Sequence, residues 1–281
     1  MDTIVVAETT RDGKELLPSL KELQGHIYNH TYEFMEALLA QGTFPDAVQV
    51  GNEIMRGMLW DQGRIPDHWK DFVQITQSAV QAIQDVVSSS SPPSSTSSLF
   101  KKLLGATTTV TSVTMPKIVI HLDQGGDRKG CEQWFQSYLD LGGKIDIIGL
   151  SYYPMWHGNF TNLADNVNNL ASKFDLDVWI VETAYFWKGN PCDEYDWKCH
   201  SLLPFDQSED GQYEYLRAIR KLLETETPRA KALFYWGSHW AQAEKWFVGD
   251  ETWEEAPRRS LFNDEARALP GWTAWRDASS W

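Results

Sequence analysis

Cysteine, positive charge and long apolar runs are all scarce in this chain. Only three of its 281 residues are Cys, so a dense disulfide framework is excluded and a hydrophobic core must carry the fold. Lys and Arg together number 25 against 39 Asp and Glu, a formal net charge of −14. A surface of that sign repels phosphate backbones and anionic lipid, which argues against nucleic-acid and membrane partners and for a neutral substrate. No apolar stretch is long enough to span a bilayer, and the opening MDTIVVAETTRDGK lacks a basic segment followed by a long apolar one, so no signal peptide is visible. No Gly-rich phosphate loop follows any strand-like run, against a dinucleotide-binding oxidoreductase. Ligand spacings such as HExxH or an EF-hand are missing too, and no metal or other cofactor is expected. Asp123 and Asp127, with His121 nearby, have the look of a metal pair but read better as a solvated, hydrogen-bonded loop.

What the chain has in quantity is aromatic side chains: 14 Trp, 10 Tyr and 12 Phe. Flat rings suit the apolar faces of sugars, although most of these must serve the core. With 42% apolar residues, the length fits one α/β barrel or two small domains. Helical spacing runs from Pro18 to Ala40 and from Trp69 to Val87, and further helices are expected from about Cys131, Leu163 and Gly211, with a last one near Arg267. Among them lie five nearly continuous apolar runs, DAVQVGNE, KIVIHLD, KIDIIGLSYY, DVWIVETAY and KALFYWG, typical of buried strands. Strand then helix, repeated, implies parallel strands covered by helices. Polar and aromatic residues crowd the C-terminal end of each run, which favours a barrel over an open sheet. Residues 88–114, which include SSSSPPSSTSS, differ in composition from everything else and read as a disordered insertion. Cys192 and Cys199 are close enough to bridge if the protein is exported, leaving Cys131 free, and Asn29-His-Thr and Asn159-Phe-Thr are compatible with export.

Two of the five runs end in glutamate: Glu53 closes VQVGNE and Glu182 closes DVWIVE. A carboxyl at the tip of a buried strand is costly to desolvate unless something uses it, and a pair of them is what acetal hydrolysis requires. The motif VQVGNEIMRGMLW, with Asn52 beside Glu53 and Gly57, Leu59 and Trp60 behind it, resembles the endo-β-1,4-galactanases of glycoside hydrolase family 53. HLDQGGD, IIGLSYYPMWHG, IVETAYFW, the Gly211-Gln212 step and LFNDEARALP are similar to that family in its order and spacing. The likeness runs from about His26 to Pro270, apart from the insertion.

The resemblance implies an α/β fold of the (β/α)8 TIM-barrel type. Residues 1–281 would form a single partial barrel domain, N-terminally truncated, in which strands four to eight are recognisable. It also implies a retaining arabinogalactan endo-β-1,4-galactanase, with Glu53 as acid/base on the fourth strand and Glu182 as nucleophile on the seventh. Asn52 is then the partner of the sugar 2-hydroxyl. Tyr152 is expected to orient the nucleophile, Trp236 to floor the cleavage subsite, and Trp60 and Trp156 to line neighbouring subsites; plain packing is the alternative for each. Some family members hold a structural calcium in the last strand-to-helix loop. Here that loop carries Asp250, Glu251, Glu254 and Glu255, which reads as a solvated acidic face. A monomer acting outside the cell on a polysaccharide completes the expectation. There are two departures from the family. Gly237 and Ser238 stand where the family has Glu-Pro, and the early strands with their arginine and histidine are not represented, so the chain alone is expected to fold poorly. Another β-glycanase specificity and a non-catalytic carbohydrate-binding remnant stay open as alternatives.

Overall fold

The structure, a computed structural model, describes residues 8–9, 15–16, 18–90, 113–189, 203–241 and 256–276. Cys192, Cys199 and the acidic run at 250–255 lie outside them, as does most of the expected insertion. Two compact units emerge, the first made of Met1–Gly51, Arg56–Val119 and Tyr138–Ile145, the second of Asn52–Met55, Ile120–Ser137 and Asp146–Trp281.

In the first unit the two-residue strands β1 (Glu8–Thr9) and β2 (Glu15–Leu16) pair antiparallel. Helix α1 (Leu20–Ala40) starts where expected because Ser19 caps it: the Ser19 hydroxyl accepts from the Glu22 amide and the Glu22 carboxylate accepts from the Ser19 amide, so two otherwise orphaned donors are satisfied. Strand β3 (Ala47–Gln49) follows, then helix α2 (Trp69–Ser90), whose buried face of Phe72, Ile75, Ala79, Ile83 and Val86 recurs at three- and four-residue steps. That helix packs on α1, where the Tyr28 hydroxyl donates to Asp85 at 2.7 Å. Because α2 runs on to Ser90, residues 88–90 are helical rather than the start of an insertion; the stretch 91–112 is not among the described residues.

The second unit holds the end of β4 (Lys117–Leu122) and most of α3 (Arg128–Asp140), followed by β5 (Ile147–Ser151) and the short α4 (Pro154–His157). Helix α5 (Phe160–Phe174), β6 (Asp177–Thr183), α6 (Glu209–Glu226) and β7 (Ala230–Tyr235) come next, then the single turns α7 (Ala256–Arg259) and α8 (Thr273–Arg276). The sheet keeps chain order, β3-β4-β5-β6-β7, and every strand pair whose register is described within it is parallel. Ordered parallel strands with a helix between each are the repeating unit of the (β/α)8 fold.

Strand β6 contains an irregularity. Leu150 and Ser151 are consecutive on β5 but face Ile180 and Glu182, and on the other side Leu233 faces Ile180 while Tyr235 faces Thr183. Val181 is therefore an extra residue against both neighbours, a β-bulge that breaks the strict alternation of side chains. Val178 and Ile180 are buried on one face; beyond the bulge Thr183, not Glu182, continues that face and meets the Tyr215 hydroxyl of α6 at 2.6 Å.

The helix expected near Arg267 is not there. Asn263 uses its side-chain oxygen to accept the amides of Glu265 and Arg267, Ala266 takes a left-handed φ of 57°, and Phe262 bridges to Ala268 antiparallel. An Asx-type turn won the competition with the helix, as short polar side chains allow.

Candidate active site

Four strand ends supply the site of the second unit. After β3, Gly51 (φ 76°) and Glu53 (φ 50°) both turn left-handed, and the Asn52 and Glu53 side chains emerge exposed. A left-handed φ at a non-glycine residue costs on the order of 1 kcal/mol or more and persists only where its surroundings enforce it. Here His121, buried on β4, lies at that backbone, its Nδ1 3.4 Å from the Glu53 amide and 3.1 Å from Asn52 Oδ1. The Nε2 of the same ring is 2.8 Å from the Ser151 hydroxyl at the end of β5, and that hydroxyl donates to Glu53 Oε1 at 2.7 Å.

Glu182 reaches the site from the β6 bulge, half-buried, and accepts a hydrogen bond from the Tyr153 hydroxyl at 2.9 Å. One donor atom each of Glu53, His121 and Glu182 lies within 4.8 Å of the others. Such a spacing has room for a cation, and both ring nitrogens of His121 also face hydrogen-bonding partners. Asp127, half of the metal-like pair in the sequence, instead caps α3 by accepting the Gly130 amide at 3.0 Å. Cys131 is buried and free, its thiol pushed up to about 12 by burial, so it is not a nucleophile.

Both carboxyls titrate upward. Burial lifts Glu182 to about 7, the charge of Glu53 adds to it, and Tyr153 and Arg259 oppose it. Glu53 presents surface to solvent, yet protein atoms around its carboxyl raise it; Ser151 opposes that shift and the Asp123 charge adds to it. Two carboxylates this close titrate as a pair that holds one proton near neutrality. If Glu53 keeps that proton, the charge disfavouring an ionised Glu182 disappears. Among the polar neighbours, Tyr153 and Arg259 favour a carboxylate at Glu182; at Glu53 the Ser151 hydroxyl favours the carboxylate, while burial and Asp123 favour the neutral acid.

Tyr152 does not orient Glu182. Its hydroxyl donates to the Gly158 carbonyl at 2.9 Å, its ring packs near Phe160, and the hydroxyl on the carboxylate belongs to Tyr153. Alternation explains the exchange, since Ser151 and Tyr153 share one face of the chain and Tyr152 takes the other. Trp156 on α4 is 45% exposed, its ring edge-on to Tyr153 at 5.4 Å, a position suited to a sugar next to the carboxylates. Trp236 follows β7, half-buried, with the Arg259 guanidinium 4.7 Å from its ring centroid. Trp60 belongs to the first unit, 53% exposed, with its indole N–H on the Arg56 carbonyl.

Sequence reasoning missed Ser151, Tyr153 and Arg259, and weighed His121 only beside a metal-like aspartate pair that it set aside. It also gave no reason for Gln212. That side chain is fully buried, and its amide donates to the carbonyls of Tyr185 and Ser260, both at 3.0 Å, tying the segment just after β6 to the one that carries Arg259. The paired glycines of HLDQGGD also have a cause: a Cβ on Gly126 would sit 1.6 Å from the His157 carbonyl oxygen, so the loop after β4 can close on α4 only without one.

Comparison with known proteins places this arrangement. Residues 15–275 match the family model described as Glycosyl hydrolase family 53. A Niallia circulans protein described as "Uncharacterized protein in bgaB 5'region" is 32% identical over 244 residues, covering 82% of this chain and 60% of that one. A probable arabinogalactan endo-β-1,4-galactanase A of Neosartorya fischeri is 29% identical over 228 residues, 78% of this chain and 56% of its own. Among solved structures, the Ignisphaera aggregans GH53 catalytic domain superposes with a TM-score of 0.73 at 28% identity, covering 92% of this chain and 66% of that one. The chain thus spans 56% to 66% of the length of these relatives.

Proposed function

Because the chain belongs to glycosyl hydrolase family 53, we propose that its site is that of an endo-acting β-1,4-galactanase working with retention of anomeric configuration. One observation carries this reading: the Glu53 and Glu182 carboxyls come within 4.8 Å of each other. Retaining enzymes hold their two carboxyls about 5–5.5 Å apart, whereas inverting ones leave room for a water between them. In the proposed reaction the Glu182 carboxylate attacks the anomeric carbon while Glu53 gives its proton to the departing glycosidic oxygen. A glycosyl ester forms on Glu182; Glu53, now a base, deprotonates the water that breaks it. Asn52, exposed beside Glu53, is placed to bind a sugar hydroxyl, and Trp156 offers an aromatic face next to Tyr153. The galactan specificity comes from the names of the relatives, and no metal takes part in the proposed steps. A polymeric substrate of this size is met outside the cell, where we place the activity.

The test is product analysis on β-1,4-galactan beside mannan and xylan. Reducing ends should appear from galactan, with the β-anomer formed first in a time-resolved NMR spectrum. Glu182→Ala should lower turnover by at least ~10³-fold, because it removes the carboxylate on which the proposed ester forms. An α-anomer formed first, or undiminished turnover by Glu182→Ala, would overturn the reading.

A further inference from the structure

Glu53 has two carboxyl oxygens, and an acid catalyst is useful only when its proton sits on the one facing the substrate. The hydrogen-bond inventory around Glu53 fixes which one that is. Ser151 and His121 are both fully buried, so their donors and acceptors are expected to be matched by the protein groups beside them. The Ser151 hydroxyl has one hydrogen and gives it to Glu53 Oε1 at 2.7 Å. The atom 2.8 Å away on its other side, His121 Nε2, must then be the donor. A neutral imidazole carries one proton, so Nδ1 is left as an acceptor, which is what the Glu53 amide 3.4 Å from it requires. The same tautomer asks Asn52, 3.1 Å from Nδ1, to turn its amide nitrogen toward the ring and its oxygen away. Burial supports the neutral ring, lowering His121 to about 4.

We infer that His121, acting through Ser151, is a positioning residue that keeps Glu53 Oε1 occupied as an acceptor and so confines the catalytic proton to Oε2. The imidazole grips Glu53 twice, at its left-handed backbone through Nδ1 and at its carboxyl through the serine. The charged and titratable groups around this chain are Asp123 after β4, His157 on α4, Tyr153 after β5, Glu182 on β6 and Arg259 on α7; none of them supplies a second donor to Oε1 in the described hydrogen bonds.

The inference rests on Glu53 being the acid/base, and the experiment separates the two. Ser151→Ala and His121→Gln are compared on galactan, whose leaving group needs a proton, and on 2,4-dinitrophenyl β-galactoside, whose leaving group does not. Each variant should lose roughly 10- to 100-fold in kcat/KM on galactan and under about threefold on the activated glycoside. The double variant should be no worse than either single, because the two residues act in series. Ser151→Thr, which keeps the hydroxyl, should restore the galactan rate. Equal losses on both substrates, or additive losses in the double variant, would overturn the inference. Independently of activity, imidazole ¹⁵N NMR of the unmodified protein should show His121 protonated at Nε2; a proton at Nδ1 would overturn it even with the glycosidase reading intact. Absence of turnover on either substrate, with the Nε2 tautomer observed, would count against the glycosidase reading alone.

Discussion

Tyr153 and Tyr152 are adjacent tyrosines, both buried and both with hydroxyls pushed up mainly by burial, yet only one touches a carboxylate. Tyr153→Phe removes the hydrogen bond that holds the Glu182 carboxylate in place, and kcat on galactan is expected to fall roughly 10- to 100-fold with little change in melting temperature. Tyr152→Phe should leave kcat within about threefold and lower stability by roughly 1 kcal/mol through the unpaired Gly158 carbonyl, read by denaturant unfolding. Both glutamates were legible in the sequence because each ends an apolar run, where a carboxyl is conspicuous. The tyrosine assignment was not, because β5 is buried on both faces and its composition does not say which parity faces the site. The Ser151 and Tyr153 pair, two residues apart, was the only available signal, and it becomes readable once Ser151 is known to touch Glu53. His121 stood out in the sequence only as the neighbour of two aspartates in what reads as a hydrogen-bonded loop; its actual partners are Asn52 and Glu53 after β3 and Ser151 on β5, far away in the chain.

Elements place these residues, and Gln212 is the side chain that joins the elements. Replacing it with Leu would strip donors from the buried carbonyls of Tyr185 and Ser260. The expected destabilisation is about 2–4 kcal/mol by urea unfolding, accompanied by weakened activity as the segment carrying Arg259 loosens. A Gln212→Leu protein as stable as the parent would show that these bonds are dispensable. Most elements were legible: five apolar runs became five strands, and the helices begin within a few residues of the periodic patterns. The failure at Arg267 is instructive, since DEAR looks helical while Asn263 offers a local side-chain acceptor that captures the two amides a helix would need. The end of α2 shows the converse, three serines carried as helix beyond the last apolar position because the preceding turns are well packed.

At the scale of the whole molecule, the site leaves a signature in stability. From its ordinary 4.5, Glu182 rises to about 7 in the folded state. Between those values the folded carboxyl pair holds a proton that the unfolded chain has released, so the pair makes stability fall as pH rises from 4.5, and most of that contribution is gone by about pH 7. Glu182→Gln should therefore melt higher than the parent at pH 8, by on the order of 1–2 kcal/mol or roughly 2–6 °C, and match it at pH 4. A gain of the same size at pH 4 would show that the charge is not the cause. Buried His121 and His157, both lowered to about 4, act in the opposite sense, withdrawing stability as pH falls from 6.5 toward 4. The fold class and the glutamate pair could be inferred from composition and motif, but the extra residue in β6 could not, because alternation alone puts Glu182 on the face of Val178 and Ile180. Val181 makes no bond to the reacting groups, and as a side chain it is replaceable. As a unit of length it is not, for its removal would exchange Glu182 and Thr183, turning the Glu182 carboxyl into the core and the Thr183 hydroxyl toward the site. Substitution and deletion at this position thus have unrelated consequences: the letter is free to drift while the count is fixed.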